Sequence, residues 1–213
     1  MKTDLVLATR NPGKLPELRE LLGGLPYNVR SVSDFPEARE PEETGRTFWE
    51  NALIKARAAH EATGLLVLAD DSGLEVDALG GEPGVRSSRF SPEGTDEANI
   101  AELLRRLSDV PEGRRRARFR CAVCVVGPGL AEPLRAEGTV EGAIIRAPRG
   151  GHGFGYDPVF VPEGYDRTFA ELGPEVKDAI SHRAAALSQV CLLLAELAVR
   201  GPAPELDRPG GAR

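Results

Sequence analysis

Apolar residues along this chain alternate between short unbroken runs and longer stretches with apolar positions three or four apart. The run Leu5-Val-Leu-Ala8 predicts a buried strand. It gives way to Thr9-Arg-Asn-Pro-Gly-Lys14, a cluster of turn residues. Leu15, Leu18, Leu21 and Leu22 then recur at helical spacing, with Pro16 tolerable in the first turn and Gly23-Gly24 as the stop. After an acidic loop over 37–46, Thr47-Phe-Trp-Glu50 matches a capping box, and a helix is predicted from there to Ala62, before Gly64. On it Asn51 and Lys55, four apart, share one face. A second buried strand, 65–69, delivers Asp70-Asp71-Ser72-Gly73 at its C-terminal end, and 74–79 reads as another strand.

Residues 80–94 read as loop and 95–107 as an amphipathic helix. A strand over 118–126 enters a core, with 134–140 its antiparallel partner across Gly127-Pro-Gly129. The glycine-dense Gly150-Gly-His-Gly-Phe-Gly-Tyr-Asp-Pro158 precedes a short strand at 159–161, and a long helix is expected from Asp178 to Val199. Hairpin and crossover signals occur together, so the expected class is α/β with a mixed sheet. Residues 1–200 read as a single domain and 201–213, rich in Pro and Gly, as a disordered tail.

Charge narrows the partners. With 27 basic and 33 acidic residues the net charge is −6, against nucleic acid or an anionic membrane as a bulk partner. A local basic pocket remains compatible. No signal-like core opens the chain, and Glu196 breaks the apolar run after Cys191, which argues against a membrane helix. Three cysteines cannot all pair, so the chain reads as cytoplasmic and thiol-reduced.

The strongest chemical signal is Asp70-Asp71. Adjacent carboxylates at a strand end favour a cation between them, and an oxygen-rich site suits Mg²⁺; Asp-Asp-Ser-Gly is equally good turn chemistry. Glu42 and Glu43 offer further carboxylates in an ordinary acidic loop. The loop from Thr9 to Lys14 lies where α/β proteins bind ligands and where helix N–H groups and Lys14 favour an anion, although no Walker motif occurs. In the glycine-dense stretch, Phe154 or Tyr156 offers a stacking face, and a plain hairpin loop explains it as well. Cys121 and Cys124 sit in an apolar strand with side chains on opposite faces, unsuited to zinc. The arginine run 114–120 resembles a nucleic-acid patch, but its alternating end reads as a solvated strand face.

Together these stretches resemble the noncanonical purine NTP pyrophosphatases, the inosine/xanthosine triphosphate pyrophosphatase family. The motifs are Ala8-Thr-Arg-Asn-Pro-Gly-Lys14 with Glu17; Glu43-Thr-Gly with Thr47-Phe-Trp-Glu-Asn-Ala-Leu-Ile-Lys55; Ala69-Asp-Asp-Ser-Gly-Leu74 with Gly80-Gly81 and Pro83-Gly84; Gly153-Phe-Gly-Tyr-Asp-Pro158; and Ile180-Ser-His-Arg183. They fall in the family's order. Arg10 departs from it, standing where the family has a small Gly or Asn.

The resemblance implies two lobes around an elongated mixed sheet with the site in the cleft, and a homodimer. It implies Mg²⁺-dependent hydrolysis of ITP, dITP or XTP to the monophosphate and pyrophosphate. Asp71 then resembles the general base and metal-linked carboxylate and Glu43 a metal ligand, with Asp70 and Glu50 as further candidates for the metal shell. Thr9, Arg10, Asn11, Pro12, Gly13, Lys14, Lys55, Ser72 and Lys177 take the phosphates and sugar. Phe154, Gly155, Tyr156 and Asp157, with His182 and Arg183, hold the base. A relative acting on other modified bases, and a nucleotide-binding module without turnover, are the competing readings.

Overall fold

The computed structural model describes residues 2–9 and 14–200, without the side chains of 14–17 and 200. Arg10, Asn11, Pro12, Gly13 and the expected tail, 201–213, lie outside the described residues.

Among the described residues six strands form one sheet in the order β2-β1-β3-β4-β5-β6. β1 (Thr3–Leu7) runs parallel to both β2 (Tyr27–Ser31) and β3 (Leu66–Val76). β4 (Arg116–Val126), β5 (Leu134–Ile144) and β6 (Phe160–Pro162) continue the sheet antiparallel. The sheet is therefore mixed, as expected. α1 (Lys14–Leu21) follows β1, α2 (Phe48–Thr63) precedes β3, and α3 (Asp96–Arg106) precedes β4. α4 (Phe169–Leu172), α5 (Pro174–Ile180) and α6 (His182–Arg200) close the described chain.

Elements around the site differ from the sequence expectation. β3 is one strand of 11 residues, with Asp70-Asp71-Ser72-Gly73 inside it rather than in a turn between two strands. Those four residues are turn formers in isolation, but β4 lies alongside in continuous register, Asp70 opposite Val123 and Gly73 opposite Arg120. The expected last helix is two: Ser181 takes an extended conformation after α5, and its Oγ accepts from Ala184 N, so α6 begins at His182. β2 is absent from the sequence expectation, although Tyr27 and Val29 alternate with exposed or half-buried residues as in a one-sided strand.

The core falls into clusters on either side of that polar segment. Leu66 and Leu68 of β3 pack with Cys121, Val123 and Val125 under α6, while Val67 and Ala69 pack on the other face with Cys124 under Ala52 and Ala56 of α2. Beyond Gly73, Leu74 and Val76 join Phe119, Phe160 and Phe169. Cys121 and Cys124 thus sit in separate clusters. By length and composition α6 could cross a membrane, with mean hydropathy 1.3 over His182–Val199. Glu196 does not prevent that, but Ala186, Leu187, Val190 and Leu194 are buried on the sheet, and Tyr27 donates to Leu194 O. One face of α6 is thus packed on the sheet.

Candidate active site

The site begins with the helix that faces β3. Thr47 caps α2, its Oγ1 accepting from Glu50 N while Glu50 Oε2 accepts from Arg46 N and Thr47 N. Glu50, a candidate for the metal shell, is placed on this cap. Ala52, Ala56 and Ala59 let α2 lie close on the sheet. The shared face of Asn51 and Lys55 then meets Asp71: Asn51 Nδ2 donates to Asp71 Oδ2 at 3.1 Å and Lys55 Nζ to Asp71 Oδ1 at 3.0 Å. Asn51 is completely buried and anchored behind by Gly45 N, 2.8 Å from its Oδ1. A Cβ on Gly45 would stand 2.5 Å from that oxygen, so only glycine permits the approach.

Lys55 also reaches Glu43 Oε1 at 2.8 Å, and Arg89 approaches the other Glu43 oxygen at 3.5 Å. One ammonium is thus shared by the two carboxylates predicted to hold a metal. Burial pushes the Asp71 carboxyl up, and the charge of Lys55 offsets only part of that. Burial also raises Glu43, but the hydrogen bonds and charges of Lys55 and Arg89 outweigh it and hold Glu43 below its ordinary value. Lys55 loses by desolvation and gains more from Asp71 and Glu43, so it stays protonated further into the alkaline range.

Asp70 points to the opposite face, because successive strand residues alternate. It is 4% exposed, with Arg183 Nε 3.8 Å from its Oδ2. Asp71 thus contacts Lys55 directly, while Asp70 acts on it only through its charge. Ser72 lies on the Asp70 face of β3, half-buried.

Arg183 leads to the predicted base residues. Phe154 is 55% exposed, with Lys177 Nζ 4.2 Å and the Arg183 guanidinium 5.8 Å from its ring centre. Lys177 is fixed by an ion pair with buried Asp157, which also accepts from Phe154 N. Asp157 is pushed up by its burial, against the opposing charge of Lys177. Gly155 N donates to Asp96 Oδ2 at 2.6 Å. Tyr156 is buried and its hydroxyl donates to Ser87 O, which leaves Phe154 as the available stacking face. His182 is buried flat against Phe119, ring centres 5.0 Å apart.

A cavity of about 100 Å³ is lined by Thr9, Glu43, Lys55 and Asp70, joining the end of β1 to the carboxylates. Lys14 opens α1 beyond it. A larger cavity, about 610 Å³, lies between Trp49 and the 80–86 loop and is lined by none of the predicted site residues. Arg89 is a site residue that the sequence patterns do not single out; it lies 46 positions from Glu43, beyond any local spacing signal.

The arrangement defines an α/β protein whose cleft sets paired carboxylates and cations beside an exposed aromatic ring, suited to a phosphate-bearing planar ligand. The chain matches the Ham1 family over residues 5–192, and it belongs to that family. It is 52% identical over 194 residues to the dITP/XTP pyrophosphatase of Desulforamulus reducens, covering 91% of this chain and 96% of that protein. Identity to the dITP/XTP pyrophosphatase of Bacillus subtilis is 47%, covering 90% and 96%. The Ham1 protein structure from Staphylococcus aureus matches with TM-score 0.84 and 41% identity, over 90% of this chain and 97% of that one.

Proposed function

We propose that this chain is a dITP/XTP pyrophosphatase, a hydrolase that converts ITP, dITP and XTP to the nucleoside monophosphate and pyrophosphate. The observation that carries the reading is the Glu43–Lys55–Asp71 cluster on one face of β3, with Arg183, Phe154 and Lys177 grouped on the other side of the strand. In this reading Asp71 is the general base. Its raised pKa suits accepting a proton from water, and Asn51 and Lys55 fix both its oxygens. Lys55 turns to the phosphates, together with Thr9, Ser72 and Lys14, and the family resemblance adds Arg10, Asn11, Pro12 and Gly13 to the phosphate contacts.

Mg²⁺ fits the residues present. Among the described residues no group of three or more His, Cys, Asp or Glu converges. Two carboxylates do converge on one positive charge, the Lys55 ammonium, and Mg²⁺ commonly takes one or two carboxylates and completes its shell with water and substrate phosphate. Glu43 and Asp71 would hold it. When bound, the ion supplies charge neutralisation and a more acidic water.

Phe154 stacks the base over the Lys177–Asp157 pair. Arg183, whose guanidinium lies 5.8 Å from the Phe154 ring centre, offers donors to a 6-oxo group and would face a 6-amino group donor to donor. A homodimer is part of the proposal; Val123 and Val125 are buried under α6 and Cys124 under α2, so a second copy would use another face.

Product analysis tests the reading. Incubation with Mg²⁺ and ITP, XTP, ATP, GTP or dTTP should give pyrophosphate from ITP and XTP and little from ATP. Inorganic phosphate alone would overturn it, and binding without turnover would favour the non-catalytic module. Asp71→Asn should lose turnover by about 10²–10⁴-fold while nucleotide binding survives.

A further inference from the structure

Residues opposite one another across the sheet show how α6 is seated. Ser72 of β3 pairs with Cys121 of β4, and Cys121 with Gly138 of β5. Cys121 packs in the cluster with Ala186, Leu187 and Val190, so this row faces α6. At Gly138 the helix comes down on the strand backbone itself. A Cβ there would stand 2.0 Å from His182 O, 2.7 Å from Ala186 N and 3.0 Å from the Ala185 methyl. Two of the three are backbone atoms, which no rotamer change can remove. Ordinary contact needs about 3.5 Å, so any side chain at 138 would lift the first turn of α6 by more than about 1 Å.

That turn carries His182 and Arg183. Ser181 is the joint between α5 and α6, its Oγ accepting from Ala184 N at 3.1 Å. Arg183 depends on the depth of the seat, since it must stay within 3.8 Å of Asp70 and 5.8 Å of the Phe154 ring. A glycine in mid-strand weakens pairing and marks a close approach. Here the approach is that of the helix bearing the base contact.

We propose that Gly138 is a specificity-determining positioning residue: lacking a side chain, it sets the depth of the α6 first turn on β5 and so the place of Arg183 beside the base. The inference rests on the assignment of Arg183 to the base. The Asp71, Lys55 and Glu43 cluster lies on the opposite face of β3, against α2, so a lifted α6 leaves it in place.

The experiment compares Gly138→Ala, Ser181→Ala, Arg183→Ala and, as a control in open space, Gly113→Ala, each checked for folding, in steady-state kinetics with ITP and ATP. Gly138→Ala should raise KM for ITP by about tenfold or more and lower the ITP:ATP ratio of kcat/KM similarly, with kcat for ITP within about threefold. Ser181→Ala, which loosens the same turn without a clash, should shift the ratio in the same direction. A folded Gly138→Ala with unchanged KM and ratio, beside an impaired Arg183→Ala, overturns the proposal. An unimpaired Arg183→Ala instead removes the base assignment beneath it. Should Gly138→Ala fail to fold, Ser181→Ala decides: a shifted ratio supports the seat and an unchanged one overturns it.

Discussion

Replacing Lys55 by Met keeps most of the apolar stem and removes the one ammonium shared by Glu43 and Asp71. The two ion pairs it makes are 2.8 Å and 3.0 Å long, between side chains 13–26% exposed. At an effective dielectric of about 20 each is worth about 5–6 kcal/mol of direct attraction. Most of that is offset, because the ammonium no longer has to be desolvated, and the net loss comes to about 2–4 kcal/mol. In a chain of this length 1 kcal/mol moves Tm by about 2–4 °C, so the fall should be about 4–16 °C.

The deficit must also depend on pH. In the native protein Glu43 is held below its ordinary value, so its contribution is present above the usual carboxylate range and fades as pH falls. Asp71 is already raised by burial, and without Lys55 both carboxyls move higher. A carboxyl raised in the folded state costs stability as pH rises through its titration. The gap in Tm between Lys55→Met and the native chain should therefore be smallest near pH 4, grow towards pH 7, and shrink again only where Lys55 itself titrates, above the usual lysine range. Mg²⁺ should raise Tm of the variant more than that of the native chain, since the ion no longer competes with an ammonium. Calorimetry across pH, with and without Mg²⁺, reads all of this. A gap independent of pH, or one that narrows from pH 4 to 7, would refute the shared-cation account.

In the metal-free protein the Asp71 carboxyl should titrate above an ordinary aspartate, because burial raises it, and higher still in Lys55→Met, as read by NMR titration; a titration that stays put on loss of the lysine refutes the Lys55–Asp71 coupling. Phe154→Ala should weaken ITP binding by about 5–150-fold through lost stacking while leaving Tm within about 1 °C, since the ring is 55% exposed; a Tm loss with unchanged KM would make it a packing residue. Arg115→Met should cost about 3–5 kcal/mol, measured by denaturant unfolding, because the buried guanidinium donates to the carbonyls of Leu107, Val110 and Ile145; a loss below about 1 kcal/mol would mean those carbonyls find other donors.

Local patterns reach the elements whose physics is local. The capping box at Thr47 and Glu50 and the helical spacing of Asn51 and Lys55 are legible because each rests on residues within four positions. The continuity of β3 is not, since Asp70-Asp71-Ser72-Gly73 is turn chemistry until β4 lies beside it. Arg115 cannot be told from its neighbours: Arg116, Arg118 and Arg120 do share one strand face, but Arg115 precedes the strand and turns inward. The pairs Asp157–Lys177 and Asp70–Arg183 join residues 20 and more than 100 positions apart, which periodicity cannot see. Only the family resemblance groups those residues.

The charge of the cleft follows from these pairs. Among the described residues, Lys55 and Arg89 face Glu43 and Asp71, Lys177 faces Asp157, and Arg183 faces Asp70: four cations against four carboxylates. The cations that would gather a triphosphate are each held in place by an internal anion, which fixes long side chains at the cost of neutralising them. Among the described residues, then, these internal pairs leave no positive excess for a nucleoside triphosphate. In the proposed reading Glu43 and Asp71 would hold a divalent cation, which would supply two positive charges and leave Lys55 and Arg89 to the phosphates. In the same reading Asp70–Arg183 and Asp157–Lys177 would keep their pairing and orient the base. On that reading the alternation of Asp70 and Asp71 along one strand would divide the site into a half whose ion pairs open on binding and a half whose ion pairs hold.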